Sequence, residues 1–280
     1  MDSTTRSKRL TLVLGGTGKT GRRVVERLAS RDVPTRVGSR VGSLPFDWDD
    51  QSTWEGALDG VTAAYISYAP DLAIPGATDA IRAFVERAVE HRVRRLVLLS
   101  GRGEEEAQEC ERIVQRADTE WTVVRCSWFD QNFSEGEFLD MVRAGEVTLP
   151  AGDVGEPFVD ADDIADVAVA ALTDDGHAGE VYEVTGPRLL TFAEAVEEIS
   201  QATGRAIQYV QIPHEAFAAG IAEAGLPKDI AWLLNYLFAT VLDGRNAWVG
   251  DGVQKALGRE PRDFADFCRA AAASGVWNAP

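Results

Sequence analysis

"LTLVLGGTGKTG", residues 10–21, holds four glycines within seven positions and the tripeptide Gly18-Lys19-Thr20. Two phosphate cradles share those letters, one for a nucleoside triphosphate and one for the pyrophosphate of a dinucleotide. Spacing separates them. A triphosphate loop needs a glycine, four residues, and then Gly-Lys-Ser/Thr. The position five before Gly18 is Val13. It lies inside the apolar run Leu10 to Leu14, which reads as a buried parallel strand. Gly15, Gly18 and Gly21 are instead each three apart. They follow the strand at once and open a helix whose Val24, Val25 and Leu28 face inward. That is the context a dinucleotide fingerprint requires. Gly15 then allows the tight turn, Gly18 lets backbone approach the pyrophosphate, and Gly21 lets the helix pack on the strand. Thr17, Lys19 and Thr20 stand at the helix N-terminus, where free N–H groups and the helix dipole favour an anion.

Outward from this loop, strand and helix alternate. Val33 to Val37 reads as a second strand, and Phe46 marks a short third one. Asp59-Gly60 turns into a fourth, Val61 to Ser67. Ile81, Phe84, Val85, Ala88 and Val89 line one face of a helix. Leu96 to Leu99 is a fifth strand ending at Ser100; Cys110, Ile113, Val114 and Ala117 line the next helix, and Trp121 to Val124 is a sixth strand. This rhythm predicts an α/β fold, a doubly wound parallel Rossmann sheet with ligands at the carboxyl ends of its strands. Beyond Arg125 the pattern loosens. A helix is predicted around Phe138, Met141 and Val142, and a short strand over Val147 to Leu149. Another helix spans Asp162 to Leu172, and a strand Val181 to Val184. A capping box, Thr191 with Glu194, precedes a further helix. A strand over Ile207 to Ile212 and two alanine-rich helical segments follow. The expected organisation is a dinucleotide-binding domain over residues 8–150 and a smaller α/β cap over residues 151–280, interleaved with the last strands of the sheet.

The chain has 280 residues and a net charge of −17, from 28 basic and 45 acidic side chains. That balance argues against nucleic acid and anionic membrane surfaces as partners. No run approaches the length of a membrane helix. Cys110, Cys126 and Cys268 have no metal or redox spacing, so a reduced, cytoplasmic protein is expected, as a monomer or homodimer.

The end of the second strand selects the cofactor. An acid there would hold the ribose 2′-hydroxyl of NAD. This chain has Ser39-Arg40 and no acid. An arginine can clamp a 2′-phosphate through charge-assisted hydrogen bonds, with Ser39 adding another, so NADP(H) is the expected cofactor. Asp47 and Trp48 fall where the adenine would lie; Asp47 is either an acceptor for the adenine amino group or a loop-capping acid.

The segments "VLGGTGKTGRRVVERL", "FDWDD", "VRRLVLLSGRG", "WTVVRCSWFDQNF", "FVDADDIADVA", "GEVYEVTGP" and "LTFAEAVEEIS" occur in this order. Together they resemble the NmrA-like family, an atypical branch of the short-chain dehydrogenase/reductase superfamily, over nearly the whole chain. The resemblance implies NADP(H) as ligand, with Tyr68, Ala69, Pro70 and Ser100 lining the cofactor. It brings Cys126, Ser127, Trp128 and Phe129 toward the nicotinamide end. The superfamily's usual Tyr-x-x-x-Lys pair is missing: "GRGEEEAQECERIVQRA", residues 101–117, contains neither residue. Members that lack the pair include reductases of quinones, dyes or iminium ions, and also redox sensors that bind NADP(H) without turnover. Both readings stay open for this chain, the first being an NADPH-dependent reductase of a small flat electrophile.

Other candidates for chemistry are few. His214, in the expected cap, is either a helix N-terminal residue or a general acid. His91 and His177 read as solvated and turn residues. Trp128, Phe129 and Phe133 read as a pocket floor or as core. Asp160, Asp162, Asp163 and Asp166 read as helix-capping acids and not as a metal site. Glu104-Glu105-Glu106 reads as a solvated helix start.

Overall fold

The computed structural model of the protein describes residues 10–41 and 44–278. Eight strands occur among them: β1 (Leu10–Leu14), β2 (Thr35–Gly38), β3 (Val61–Ile66), β4 (Arg95–Gly101), β5 (Glu120–Cys126), β6 (Glu146–Leu149), β7 (Glu180–Val184) and β8 (Gln208–Gln211). Six of them form one parallel sheet in the order β2-β1-β3-β4-β5-β7. The order reverses between β1 and β3. Their carboxyl ends therefore diverge to either side and open a crevice, the position where such sheets take ligands. The central strands are apolar on both faces because helices cover both.

The helices begin with α1 (Lys19–Ser30), α2 (Trp54–Leu58), α3 (Ala77–Glu90) and α4 (Glu105–Gln115). After β5 come two short helices, α5 (Asn132–Glu135) and α6 (Leu139–Ala144), then α7 (Ala161–Thr173) and α8 (Phe192–Thr203). The series ends with α9 (His214–Glu223), α10 (Lys228–Tyr236), a π turn over Leu237–Val241, α11 (Gly252–Leu257) and α12 (Phe264–Ser274). One core lies on the side of the sheet covered by α3 and α4, built on Leu12, Ile66, Phe84 and Leu98. A second lies under α1 and α7, built on Val13, Tyr65, Val97 and Ile164. A third unites Phe133, Phe138 and Phe158 with Phe192, Phe238, Phe264 and Trp277. This third core belongs to a cap that contains the two-stranded sheet β6-β8. The chain enters the cap before residue 150, returns to the main sheet for α7 and β7, and leaves it again. The Thr191–Glu194 capping box of α8 forms as the spacing predicts.

One expected strand does not form. Phe46 follows Pro45 at the sheet edge, and its N–H bonds to the Ser39 carbonyl at 2.9 Å instead of joining a ladder. Its ring is buried against Trp54 and Phe84, so its apolar character serves packing.

The α1 seat is the tightest backbone contact near the crevice. A Cβ on Gly21 would lie 2.1 Å from the Gly15 carbonyl oxygen. A Cβ on Gly18 would meet only that same oxygen, at 3.2 Å. Gly21→Ala should therefore cost about 3 kcal/mol, a fall in Tm of roughly 6–12 °C, as helix and strand are forced apart. Gly18→Ala should cost less than about 1 kcal/mol. Thermal melts of both variants against the parent check the contrast; equal melting temperatures would refute it.

Candidate functional site

The crevice at the sheet switch is a cleft of about 770 Å³ running from β2 past β1 and β3 to the cap. Its first wall is the glycine loop. Gly15 has φ +62°, the left-handed region that favours glycine, so the chain turns sharply out of β1. Gly18 is the N-cap of α1, with no side-chain cap and no acid in the first turn. The N–H groups of that turn are left for a ligand's oxygens, a built site for an anion. Gly15, Thr17, Gly18, Lys19 and Thr20 line the cleft. Gly21 does not, because it is pressed against Gly15. Lys19 reaches across, its Nζ donating to Asn132 Oδ1 at 2.9 Å and lying 3.4 Å from Glu137. The Thr20 hydroxyl accepts from Tyr65 OH at 3.0 Å, so it braces the sheet.

The corner beyond β2 holds Ser39, Arg40, Asp47, Trp48 and Tyr68. Arg40 is exposed and has no hydrogen-bond or ion-pair partner among the described residues. Ser39 Oγ donates to the Val41 carbonyl at 2.5 Å. Asp47 caps its own loop, accepting from the Asp49 N–H at 3.1 Å. Trp48 and Tyr68 pack with centroids 4.8 Å apart. Ala69 and Pro70 also line this wall.

At the far end lie Ser100, Cys126, Ser127, Trp128 and Phe129. They follow from the carboxyl ends of β4 and β5. Cap residues Leu233, Leu237 and Val241 also line the cleft. Trp128 rests on Phe192 and Phe238, with centroids 5.3 and 5.1 Å away, so its ring is held by the cap core. Phe133 belongs to that core alone. Burial pushes the Cys126 thiol well above its usual range, which leaves it inert.

Sequence reasoning missed the charges of this end. Glu111 on α4 turns inward: its Oε1 accepts from Ser100 Oγ at 2.6 Å and from Arg125 Nε at 2.8 Å. Arg125 bridges on to Glu183 at 2.6 Å. Arg102 pairs with Glu183 at 2.9 Å and lies 4.0 Å over the Trp248 ring. Glu104, expected in solvent, is buried in the cleft wall. Gly101 makes this possible, since a Cβ there would lie 2.4 Å from Glu104 Oε1. Burial and the neighbouring Asp71 carboxyl raise Glu104 well above the usual carboxylate range, so one of the two holds a proton. Glu156 also faces the cleft, bonded to Ser127. Nothing in the local sequence around these acids marks them, because the burial comes from distant segments.

His214 is exposed at the first position of α9 and does not line the cleft. The acids of α7 act structurally. Asp160 caps the helix through the Asp162 N–H at 2.7 Å. Asp162 and Asp166 pair with Arg27, and Asp163 with Arg259 and Arg262. No cluster of three metal-type ligands occurs among the described residues. His177 Nδ1 is 2.8 Å from Tyr182 OH, and His91 is 3.4 Å from Glu55. No helix among the described residues is long and apolar enough to cross a membrane.

Comparison with known proteins finds similar chains among proteins named as oxidoreductases. An NAD(P)H-binding domain profile matches residues 15–175, and the profile of the NmrA-like family matches residues 105–267. An NAD(P)H azoreductase of Xenophilus azovorans is 32% identical over 285 residues, covering 94% of this chain and 98% of its own. The uncharacterised oxidoreductase YesF of Bacillus subtilis is 32% identical over 273 residues, covering 94% and 95%. The fold is that of the NADPH-dependent quinone oxidoreductase of Escherichia coli solved with NADPH. The TM-score is 0.79 at 21% identity, covering 93% of this chain and 99% of that one.

Proposed function

The chain belongs to the NmrA-like family and carries an NAD(P)H-binding domain, and we propose that it is an NADPH-dependent reductase of a small, flat electrophile such as a quinone, an azo compound or an imine. One observation carries this reading. A single cleft joins an uncapped helix N-terminus, fit for a pyrophosphate, to a stretch lined by aromatic and aliphatic side chains. Bound NADPH supplies a hydride. The protein supplies position and exclusion of water. Trp128, Phe129, Leu233 and Leu237 provide the flat apolar surface against which an acceptor lies. The 32% identical azoreductase, whose name gives a flat acceptor, supports the same substrate class.

Arg40 carries the preference for NADP(H) over NAD(H). It stands at the strand end where a 2′-phosphate would come, and no acid stands with it among Gly38, Ser39 and Arg40. Ser39 can turn from the Val41 carbonyl to the same phosphate. The bond Lys19 makes to Asn132 ties the cradle to the segment leading into the cap, so the two ends of the cleft are positioned together.

NADPH should bind more tightly than NADH by about 1.5–3 kcal/mol, roughly ten- to a hundredfold, and Arg40→Ala should remove most of that gap while leaving NADH affinity nearly unchanged. Calorimetric titration of both dinucleotides checks it, and equal affinities in the parent protein would overturn the assignment. Gly18→Val should abolish the NADPH-induced rise in Tm while the unliganded protein still melts cooperatively, because its side chain fills the pyrophosphate's space. NADPH oxidation followed against a panel of quinones, azo dyes and iminium ions tests turnover. Tight NADPH binding with no oxidation by any of them would favour the redox-sensor reading.

A further inference from the structure

Glu156 lies on the segment between β6 and α7 and is 1% exposed in the cleft wall. Its backbone is fixed by a reciprocal pair of 2.9 Å hydrogen bonds with Leu190. One carboxyl oxygen, Oε2, is 3.0 Å from Ser127 Oγ. The other, Oε1, is buried and has no partner among the described residues. A buried carboxylate ordinarily satisfies both oxygens, whereas a protonated carboxyl carries its own donor and needs less. Ser127 follows directly on β5 and lines the cleft between Cys126 and Trp128, at the acceptor end.

The charges facing Glu156 come from two loops. Arg102, on the loop after β4, favours the anion, but its guanidinium is shared with Glu183. Asp243, on the loop before α11, opposes the anion. Burial, joined by Asp243, outweighs the Ser127 hydrogen bond and Arg102, which both favour the anion, and the carboxyl is pushed up to about 7.

We infer that Glu156 and Ser127 form a proton-delivery pair, in which Glu156 holds the proton and the Ser127 hydroxyl hands it to the acceptor. The inference rests on the reductase reading above. A ketone that has gained a hydride at its carbonyl carbon, or a quinone that has gained one at an oxygen, bears a negative oxygen, on the quinone the opposite one. The Ser127 O–H bond breaks as its proton bonds to that oxygen. The Ser127 oxygen takes the proton of Glu156, whose O–H bond breaks in turn. The product leaves as a neutral alcohol or hydroquinone. Glu156 is left as a carboxylate near Arg102 and regains a proton from solvent. The pair thus fills the role left empty by the missing tyrosine and lysine. An iminium ion, which becomes a neutral amine on gaining hydride, needs no such proton.

The test uses the full chain and its Glu156→Gln, Ser127→Ala and Glu104→Gln variants, with NADPH and two acceptors, a quinone and a preformed iminium ion. In the parent protein the quinone rate should fall as pH rises through about 7. In Glu156→Gln the ratio of quinone to iminium rate should drop about a hundredfold, the size expected of a lost general acid, and the quinone rate should no longer fall across that range. Ser127→Ala should lower the same ratio. A profile that keeps its descending limb in Glu156→Gln, or loses it only in Glu104→Gln, overturns the pair.

A second readout needs no turnover. A carboxyl raised by burial stabilises the fold only while protonated. That contribution is full below its unfolded value and is lost as pH rises through the folded one. The Tm of Glu156→Gln minus that of the parent should therefore grow between pH 5 and pH 8. A difference that does not vary with pH overturns the proton-holding role. If the parent oxidises NADPH with neither acceptor, the reductase reading fails and the pair fails with it; turnover with an unaltered profile in Glu156→Gln defeats the pair alone.

Discussion

The cleft depends on how closely α1 seats on the end of β1. No side chain larger than hydrogen fits at Gly21, where a Cβ would meet Gly15 backbone at 2.1 Å. That contact sets the direction of the helix axis, and the axis sets where the free N–H groups of the first turn point. A displacement of even an ångström would move the free N–H groups relative to the β4 and β5 ends across the cleft. Glycine spacing is therefore a geometric requirement of the site as much as of the fold.

Such a seat needs the helix held from its other sides, and charged side chains do this. Arg22 and Arg23 pair with Glu135 on α5, and Arg27 with Asp162 and Asp166 on α7. Asp166 is shared further with Arg259 and Arg262, beyond α11. An isolated exposed pair contributes little, but these pairs are partly buried and share partners, so moving one side chain disturbs several. Two of the elements involved, α5 and the loop before α12, flank the cap. The cradle helix and the cap are thus fastened through the same acids that a sequence pattern alone could have assigned to a metal.

What could be read from the sequence follows from how local each requirement is. The loop at Gly15 to Gly21 was legible because a turn, a backbone approach and a helix seat each demand glycine at a fixed offset. The capping box at Thr191 was legible for the same reason, since Thr191 and Glu194 hydrogen-bond each other three positions apart. Phe46 misled because apolar character does not distinguish an edge strand from a core anchor, and Pro45 with the Ser39 carbonyl settles which it is. Glu104 misled in the opposite direction: three consecutive acids suggest a solvated helix start, but the turn out of β4 folds the first of them over Gly101. Glu156 gave no signal, because its burial and its partner come from Ser127, Leu190 and Arg102, which only the tertiary fold brings near. His214 carried a signal, being a rare titratable residue in the cap, yet α9 begins with it facing solvent.

The distribution of charge along the cleft explains how a protein of net charge −17 can be built to hold an anion. The dinucleotide end has no acid in the first turn of α1, and it has the exposed Arg40 together with the helix N–H groups. Asp47 and Asp49 line the β2 corner and Glu137 lies beside Lys19, while Asp71, Glu104 and Glu156 are enclosed in the walls. As full carboxylates they would repel a phosphate-bearing ligand and would pay a heavy desolvation cost in an apolar wall. Burial instead raises all three, and Asp71 and Glu104 hold one proton between them. Under the proposed reductase reading, the same burial makes Glu156 a stored proton beside the acceptor. On that same reading, a cap closed over the acceptor would leave little solvent to protonate the product, so closure and the burial of Glu156 would be complementary requirements.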